Sequence, residues 1–204
     1  RPPRSTPLYS SAASDVYKRQ PPIGTDDEIE INLMNRVIGG SFTSRLNMNL
    51  REDKSWSYGV RTRLSNYKGP RPMLVYAPVQ TDKTVLSIQE IIREYDEYLS
   101  TNPAKDNELE AIVKDLSLGL IGDFETFGAL MSGVSGIVSQ GRSDDYLDSL
   151  PELYRSMTVD NINSVAAKYI DTNIWTWMIV GDLSKIEEGI RELNLGEIEI
   201  IKLD

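Results

Sequence analysis

The sequence contains no histidine and no cysteine among its 204 residues. Without cysteine, the chain forms no disulfide and has no thiolate to act as a nucleophile or metal ligand. Without histidine, it lacks the side chain that most often binds catalytic zinc and acts as a general base near neutral pH. We therefore expect no metal site in this chain. Carboxylates such as Glu108, Glu110 and Asp123 could bind a hard cation, but we interpret them as a solvated helix face.

Long hydrophobic runs and excess basic charge are also missing. No apolar run approaches the roughly 20 residues needed to span a bilayer, so we expect no membrane segment. The formal net charge is −9, and an acidic surface would be repelled by phosphates, which argues against a nucleic-acid partner. These properties do not choose between cytoplasm and periplasm.

The first twenty residues differ in kind from the rest. Residues 10–20, SSAASDVYKRQ, back-translate without mismatch into a transposon adaptor used in DNA sequencing, and residues 1–6 resemble the matching primer. We interpret residues 1–20 as a disordered assembly artefact rather than a signal peptide, with a disordered basic arm as the alternative. Residues 21–204 are expected to form one domain, a fragment of a larger protein.

Apolar periodicity predicts the order helix, helix, strand, strand, long helices, strand, helix, strand. The predicted strands cover 56–65, 73–80, 173–180 and 197–202. This order indicates an α+β fold, a two-layer α/β roll with a mostly antiparallel sheet and helices packed on one face. Trp175 and Trp177 alternate along the third strand and are expected to share its core face.

Local signals predict how several helices begin and end. Thr25 and Glu28 have the spacing of a capping box, and Thr158 is expected to cap a helix over 158–170. Gly39-Gly40 is expected to end the first helix because glycine tolerates the left-handed conformation. The Gly/Ser-rich stretch 128–141 is interpreted as a face for helix packing, with a hinge as the alternative.

Two polar residues stand out in the stretch 39–59. Arg51 ends a predicted short helix over 44–52, and Tyr58 follows where the chain turns into a strand. Such a corner can place a guanidinium beside a phenol, two donors suited to a polarised carbonyl oxygen. The plainer alternative pairs Arg51 with Glu52 or Asp53 and buries Tyr58 in the core, and spacing alone favours that alternative.

The same stretch, GGSFTSRLNMNLREDKSWSYG, resembles the later, non-zinc domain of bacterial pitrilysin/insulinase-type zinc metallopeptidases. The shared elements are a Gly-Gly helix end, Phe/Ser-Arg-Leu, Leu-Arg-Glu and Tyr-Gly, and weaker similarity extends over nearly all of 21–204. The resemblance implies that Arg51 and Tyr58 bind substrate and stabilise the transition state. Arg45 and Trp56 are expected to assist substrate binding. Arg45 could instead support the placement of Arg51 or pair with an acid, and Trp56 could lie in the core or at its rim.

The resemblance also implies that zinc binding and the substrate contacts of Arg51 and Tyr58 lie in different domains or subunits. In this family an inverted His-x-x-Glu-His helix in an earlier domain binds zinc, so zinc is expected in an upstream domain or partner subunit. The chain alone is expected to be inactive and to help enclose an unfolded peptide substrate. The alternative is a scaffold or assembly domain that has lost its chemistry. Similar bacterial proteins are often exported, which favours the periplasm.

Overall fold

A four-stranded antiparallel sheet organises the chain in the computed structural model, which describes residues 9–21, 24–65, 71–122 and 125–201, with residues 9–20 given by their backbone. The strands are β1 (Tyr9–Gln20), β2 (Arg61–Leu64), β3 (Arg71–Gln80) and β4 (Trp175–Val180). Their spatial order is β2-β3-β1-β4, and each neighbouring pair is antiparallel.

Helices make up most of the remaining chain. They are α1 (Glu28–Asn35), α2 (Arg45–Asn47), α3 (Thr84–Leu99), α4 (Asp106–Gly122), α5 (Phe127–Gln140), α6 (Tyr146–Ser156), α7 (Val159–Tyr169) and α8 (Leu183–Glu192). Two of them continue as wider π-helical turns, α1 through Arg36–Gly40 and α2 through Met48–Asp53. No helix in the described ranges is long and apolar enough to cross a membrane.

Alternation along β3 separates the two faces of the sheet. Met73, Val75, Ala77 and Val79 are buried, whereas Tyr76 between them is exposed. Successive strand residues point to opposite faces, so the helices cover one face only. The core lies between that face and the helices, where Tyr95 of α3 meets Trp175 of β4 edge-on at 4.6 Å between ring centres. The predicted α+β fold with helices on one face is confirmed.

Other local predictions are also confirmed. Trp175 is buried and Trp177 is partly buried against the same core, with 5.7 Å between their ring centres. Thr158 caps α7 and forms a full capping box with Asn161.

The expectation of a disordered tail is wrong for Tyr9–Gln20, which forms β1 between β3 and β4. Backbone N–H and C=O groups make the bonds of a strand whatever the side chains are. A segment can therefore join two strand edges even if its sequence did not evolve for that place. Residues 1–8 lie outside the described residues, and the adaptor interpretation of residues 1–20 stays a prediction.

Two expectations about local structure are wrong, and a third stays a prediction. The helix at 25–28 is not capped by the Thr25 side chain, because it begins after Asp27 and Glu28 instead accepts a hydrogen bond from the Gly24 N–H. Residues 197–201 form no strand, since no strand edge pairs with them in the described ranges. The stretch from Gly128 is helical, and α5 buries none of its described residues, but an added Cβ at Gly133 would lie 3.1 Å from Leu147 Cδ1 of α6. Its interpretation as a packing face stays a prediction.

Candidate functional site

The corner (residues 39–59) begins where the helix end passes very close to β2. A Cβ atom added to Gly39 would lie 2.8 Å from Thr62 Oγ1 and closer still to Thr62 Cγ2, and one added to Gly40 would lie 2.7 Å from Asn35 Nδ2. Neither glycine has a positive φ angle. The prediction of a left-handed helix end is therefore wrong, and these positions need glycine because only a hydrogen fits there.

The Asn47 side chain joins two parts of the corner through hydrogen bonds. Its Nδ2 donates to the Phe42 carbonyl at 2.7 Å, and its Oδ1 accepts from the Val60 N–H at 2.9 Å. The Asn47 side chain is buried, and its hydrogen bond with the Val60 N–H is buried with it. The loop before α2 and the chain that enters β2 are thus held to the same amide.

A second asparagine fixes the turn that carries Arg51. Asn49 Nδ2 donates to Glu90 Oε2 at 2.8 Å and to Glu94 Oε1 at 2.6 Å on α3. Burial alone would raise the pKa of Glu90, but hydrogen bonds from Arg93 and Asn49 outweigh it and hold that pKa below its usual range. Glu90 therefore remains an anion that anchors the π-helical turn to α3.

Arg51 lies on this turn with about a third of its side chain exposed. Its guanidinium stacks 4.5 Å from the centre of the Phe42 ring, and its Nε is 3.4 Å from Glu52 Oε1. The contact with Glu52 is the one expected from the plainer alternative. It leaves the guanidinium accessible at the surface, where such a pair is weak.

Tyr58 lies on the other side of the turn that follows Arg51. Its side chain is 81% exposed, so the alternative that buries it in the core is wrong. The backbone there is fixed, because Ser57 bridges to Val79 and Ser57 Oγ donates to the Pro78 carbonyl at 2.6 Å. The same hydroxyl accepts from the Gly59 N–H at 3.1 Å.

Trp56 lies at the rim of the core rather than fully in it. Its backbone joins the helical turn to β3, because its N–H donates to Leu50 and its carbonyl accepts from Gln80. The ring packs partly against the core, and the Lys54 ammonium lies 5.6 Å from the centre of the ring. The observed location is the core rim that was the alternative for Trp56, and its role in substrate binding stays a prediction.

Arg45 is committed to contacts within the chain. Its Nε and Nη2 donate to the two carboxylate oxygens of Glu108 at 2.7 and 2.6 Å, and Nη1 and Nη2 reach the carbonyls of Asn102 and Pro103. The guanidinium also lies 5.1 Å from the centre of the Tyr98 ring. Of the roles considered from sequence, these contacts match the pairing with an acid.

Hydrogen bonding within the Arg45–Glu108 pair favours the charged form of Glu108. Burial alone would raise the pKa of Glu108, yet hydrogen bonds from Arg45 hold it below its ordinary value. The pair therefore stays charged at neutral pH and joins α2 to the start of α4.

The described ranges contain no group of three or more carboxylates, histidines or cysteines that could hold a metal ion. The corner thus offers donors without a metal: a guanidinium and an exposed phenol on a rigid backbone. The sequence indicated Arg51 and Tyr58 but missed Phe42, Asn47 and Asn49 as their supports. Two asparagines among the buried leucines of one short helix were the available signal.

Comparison with known proteins identifies the group to which this chain is similar. It resembles the peptidase M16 inactive domain from Pseudomonas fluorescens, with 18% identity, a TM-score of 0.73, and coverage of 85% of this chain and 41% of the other. A protease from Helicobacter pylori gives 16% identity, a TM-score of 0.74, and coverage of 87% and 42%. The inactive peptidase domain of a candidate zinc protease from Bordetella parapertussis gives 16%, 0.71, and 88% and 93%.

These identities establish the fold alone. This chain spans about two fifths of the first two proteins. A search of curated proteins found no match. The family model described as the peptidase M16 inactive domain matches residues 7–116, more than half of the 204 residues. The chain therefore belongs to the family of peptidase M16 inactive domains.

Proposed function

We propose that this chain is the half of a zinc metalloendopeptidase that does not bind zinc, and that it contributes Arg51 and Tyr58 to peptide hydrolysis. The substrate carbonyl would lie against the guanidinium and the phenol. Both groups donate hydrogen bonds, and donors held in place where negative charge develops stabilise the transition state of acyl transfer. The reactive water would come from a partner domain or subunit.

The exposure of Tyr58 is the observation that carries this proposal. A large aromatic side chain that is 81% exposed loses the stability that burial would bring. Yet the backbone on both sides of it is held by the bridge to β3 and by the hydroxyl of Ser57. An exposed phenol on a backbone that is held in place supports a role in substrate contact.

Arg51 is presented in a matching way. Its guanidinium lies on the exposed ring of Phe42, which limits its freedom while leaving its N–H donors in the plane accessible. For Arg45 we propose a positioning role in place of substrate contact, since Glu108 and two carbonyls take its donors. Trp56 would line the edge of the peptide site with the part of its ring that is not packed.

The donor set of this chain does not fit catalytic zinc. It has no histidine, and the described residues hold no suitable carboxylate cluster. Bound elsewhere, zinc would supply a water of lowered pKa and polarise the carbonyl. The residues of this chain would then hold the peptide in reach and stabilise the developing oxyanion.

A scaffold or assembly domain that has lost its chemistry is the alternative function. The contact between Arg51 and Glu52 favours it, because the same pair would form without any substrate. Such a domain, however, gains nothing from an exposed tyrosine on a fixed backbone. The two functions therefore differ in whether the Tyr58 hydroxyl matters.

Turnover measurements on the chain assembled with its zinc-bearing half test the proposal. Tyr58→Phe removes the hydroxyl donor, and Arg51→Lys replaces the planar fork of donors that stacks on Phe42 by a compact ammonium. Each is expected to lower kcat by about a hundredfold, the usual effect of losing one oxyanion donor. Tyr76→Phe is the matched control, because Tyr76 is also exposed but lies along β3. Zinc content should be unchanged in all three variants. Wild-type turnover in both Tyr58→Phe and Arg51→Lys would favour the scaffold.

A further inference from the structure

Two arginines of β2 lie on the face of the sheet that the helices leave uncovered. Arg61 and Arg63 are exposed, whereas Thr62 between them is buried and lies against Gly39 on the helix side. Successive strand residues point to opposite faces, so both arginine side chains project from the helix-free face. In the described sheet β2 is also an edge strand, which leaves these side chains open to solvent on one flank.

Neither arginine has an anionic partner among the residues whose side chains are described. Other arginines form ion pairs with carboxylates, and none of those pairs involves Arg61 or Arg63. Register places one acidic position, Asp15 of β1, on the same face, with β3 between it and β2. Although the net charge of the whole chain is −9, this side of the face is therefore positive.

The rest of the helix-free face is uncharged and largely apolar. Tyr76 is paired with Arg61 in the sheet register, and Leu74 is paired with Arg63. Tyr76, Met178 and Val180 are each about half exposed or more. The described residues that share this face on the central part of β3 and on β4 are Leu74, Tyr76, Pro78, Thr176, Met178 and Val180. Exposed apolar side chains gathered on one face indicate a surface that a partner covers.

The positive side of this face is close to Tyr58 along the chain. Ser57 bridges to Val79, which is buried on the core side of β3. Alternation therefore directs Tyr58 to the helix-free side. Arg61 and Arg63 follow Tyr58 by three and five residues, which in extended chain span at most about 10 and 17 Å. An extended peptide held at Tyr58 could thus reach both arginines within about five of its own residues.

We propose that the helix-free face binds the part of the peptide substrate that flanks the scissile bond, and that Arg61 and Arg63 select acidic side chains there. The inference rests on the proposed function, which supplies the peptide, and adds the class of sequence that the site prefers. The occupant is an extended segment that carries carboxylates about three and five residues from the scissile bond. Charge complementarity with the two arginines identifies it, and its apolar side chains would cover Tyr76 and Met178.

Arginines on an edge strand also have a purely structural use. Charged side chains there hinder unwanted pairing with the strands of other molecules. That use involves no preference between an acidic peptide and a neutral one of the same shape. A comparison of two such peptides therefore separates the structural use from substrate selection.

Fluorescence anisotropy with the full 204-residue chain makes this comparison. The probes are two labelled ten-residue peptides, one with Asp-Val-Asp between Gly and Ser residues and one with Asn-Val-Asn. The wild type should bind the acidic probe about five- to tenfold more tightly, the combined effect of two exposed ion pairs of about two- to threefold each. Arg61→Gln/Arg63→Gln should bind both probes equally. Equal binding by the wild type, or a preference that survives in this double variant, would overturn the proposal.

Three further variants make the binding experiment specific. Arg155→Gln/Arg191→Gln removes the same charge from exposed positions on α6 and α8 and should keep the acidic preference. Arg61→Glu/Arg63→Glu should instead prefer a Lys-Val-Lys probe over Asp-Val-Asp. Asp15→Asn should keep the acidic preference, and a preference that appears only in this variant would show that Asp15 occupies the arginines.

A second copy of the chain is the other possible occupant of the face. Sedimentation equilibrium tests it, and the wild type is expected to be monomeric. A wild-type dimer that dissociates in Arg61→Glu/Arg63→Glu would assign the face to contacts between copies and overturn the proposal.

Turnover by the chain assembled with its zinc-bearing half separates this inference from the proposed function. Acidic residues three and five positions from the scissile bond, on one side of it, should raise kcat/KM by the same five- to tenfold. Tyr58→Phe should lower the turnover of acidic and neutral peptides alike. An acidic preference together with wild-type turnover in Tyr58→Phe would refute the proposed function alone. A loss of turnover in Tyr58→Phe without any acidic preference would refute the present inference alone.

Discussion

The guanidinium of Arg51 lies 4.5 Å from the centre of the Phe42 ring, across the loop that precedes α2. Asn47 holds the carbonyl of Phe42 and the N–H of Val60 at once, so the ring under Arg51 is tied to the chain that enters β2. Arg51 therefore has a platform whose position depends on a buried amide rather than on surface contacts.

Removing that platform should weaken catalysis without harming the fold. Phe42→Leu deletes the cation–π contact, which is worth about 0.5–1 kcal/mol at exposed sites. The expected loss in kcat/KM of the assembled peptidase is about two- to fivefold, with stability unchanged because Phe42 is 62% exposed. Phe127→Leu, which alters another exposed phenylalanine on α5, is the control and should leave kcat/KM at the wild-type value.

A methyl group at position 39 should destabilise the domain. Gly39→Ala drives its Cβ against the Thr62 side chain, and overpacking of this kind costs about 2 kcal/mol. Thr62→Ala in the same chain should recover part of that loss, because it removes both clashing atoms. Gly136→Ala, in the middle of α5 with no atom within 4 Å of the added Cβ, should instead stabilise by about 0.5–1 kcal/mol. Urea unfolding of the wild type, Gly39→Ala, the double variant with Thr62→Ala, and Gly136→Ala measures these differences. Equal stability of Gly39→Ala and wild type would contradict the close approach of Gly39 to Thr62.

Acid should unfold this protein partly through Glu108. Its pKa is lowered in the folded state, so its ionised form contributes stability that is complete above its ordinary pKa near 4.5 and is lost as the pH falls below that value. Glu108→Gln should cost about 3 kcal/mol at pH 7, because it leaves Arg45 buried without its anion. Between pH 5 and pH 3 the variant should lose less further stability than the wild type.

Two comparisons keep this acid experiment specific. Glu187→Gln removes an exposed pair with Arg191 and should change stability at pH 7 by less than about 1 kcal/mol. Glu90 and Asp27 also have lowered pKa values, so a residual acid dependence is expected in Glu108→Gln. Parallel curves for Glu108→Gln and wild type would show that Glu108 has no part in acid unfolding.

Replacing Asn47 by aspartate should destabilise the domain by an amount that depends on pH. Asn47→Asp keeps the acceptor for the Val60 N–H but replaces the donor to the Phe42 carbonyl by a second oxygen. At pH 7 the loss should be about 2 kcal/mol, since a buried carboxylate would face the Phe42 carbonyl in place of a donor. The introduced carboxyl has a folded pKa raised above its unfolded value, so protonation at lower pH should reduce the deficit relative to wild type. A deficit that does not change with pH would argue against this assignment of the amide.

The sequence predicted those parts of the fold that depend on local pattern. Alternation placed Trp175 and Trp177 on one face, and Thr158 had a following asparagine that completed its cap. The ends of α1 were predicted for wrong reasons. Glycine is needed at position 39 because the Thr62 side chain lies against it. The two residues are distant in sequence, so no local sequence pattern predicts this contact.

In the candidate site, too, some residues could be predicted from the sequence and others could not. Arg51 and Tyr58 stood out by residue type and by resemblance, whereas their supports depend on which surfaces meet in three dimensions. Arg45 illustrates the limit: its partner Glu108 is 63 positions away, so sequence could not decide between substrate and acid. The Ile-rich segment at 197–201 was expected to be a strand because composition carries strand propensity but not the presence of a partner edge.

The central place of β1 has a consequence for how the domain acquires its shape. β1 joins β3 to β4, and the register pairs Ser11 with Val180, so strands near opposite ends of the described chain, β1 and β4, lie side by side. Contacts of such high contact order form late and slowly. On the ribosome, the sheet could not be completed until β4 had left the exit tunnel, and until then the exposed edge of β1 would be open to chaperones or to misassembly.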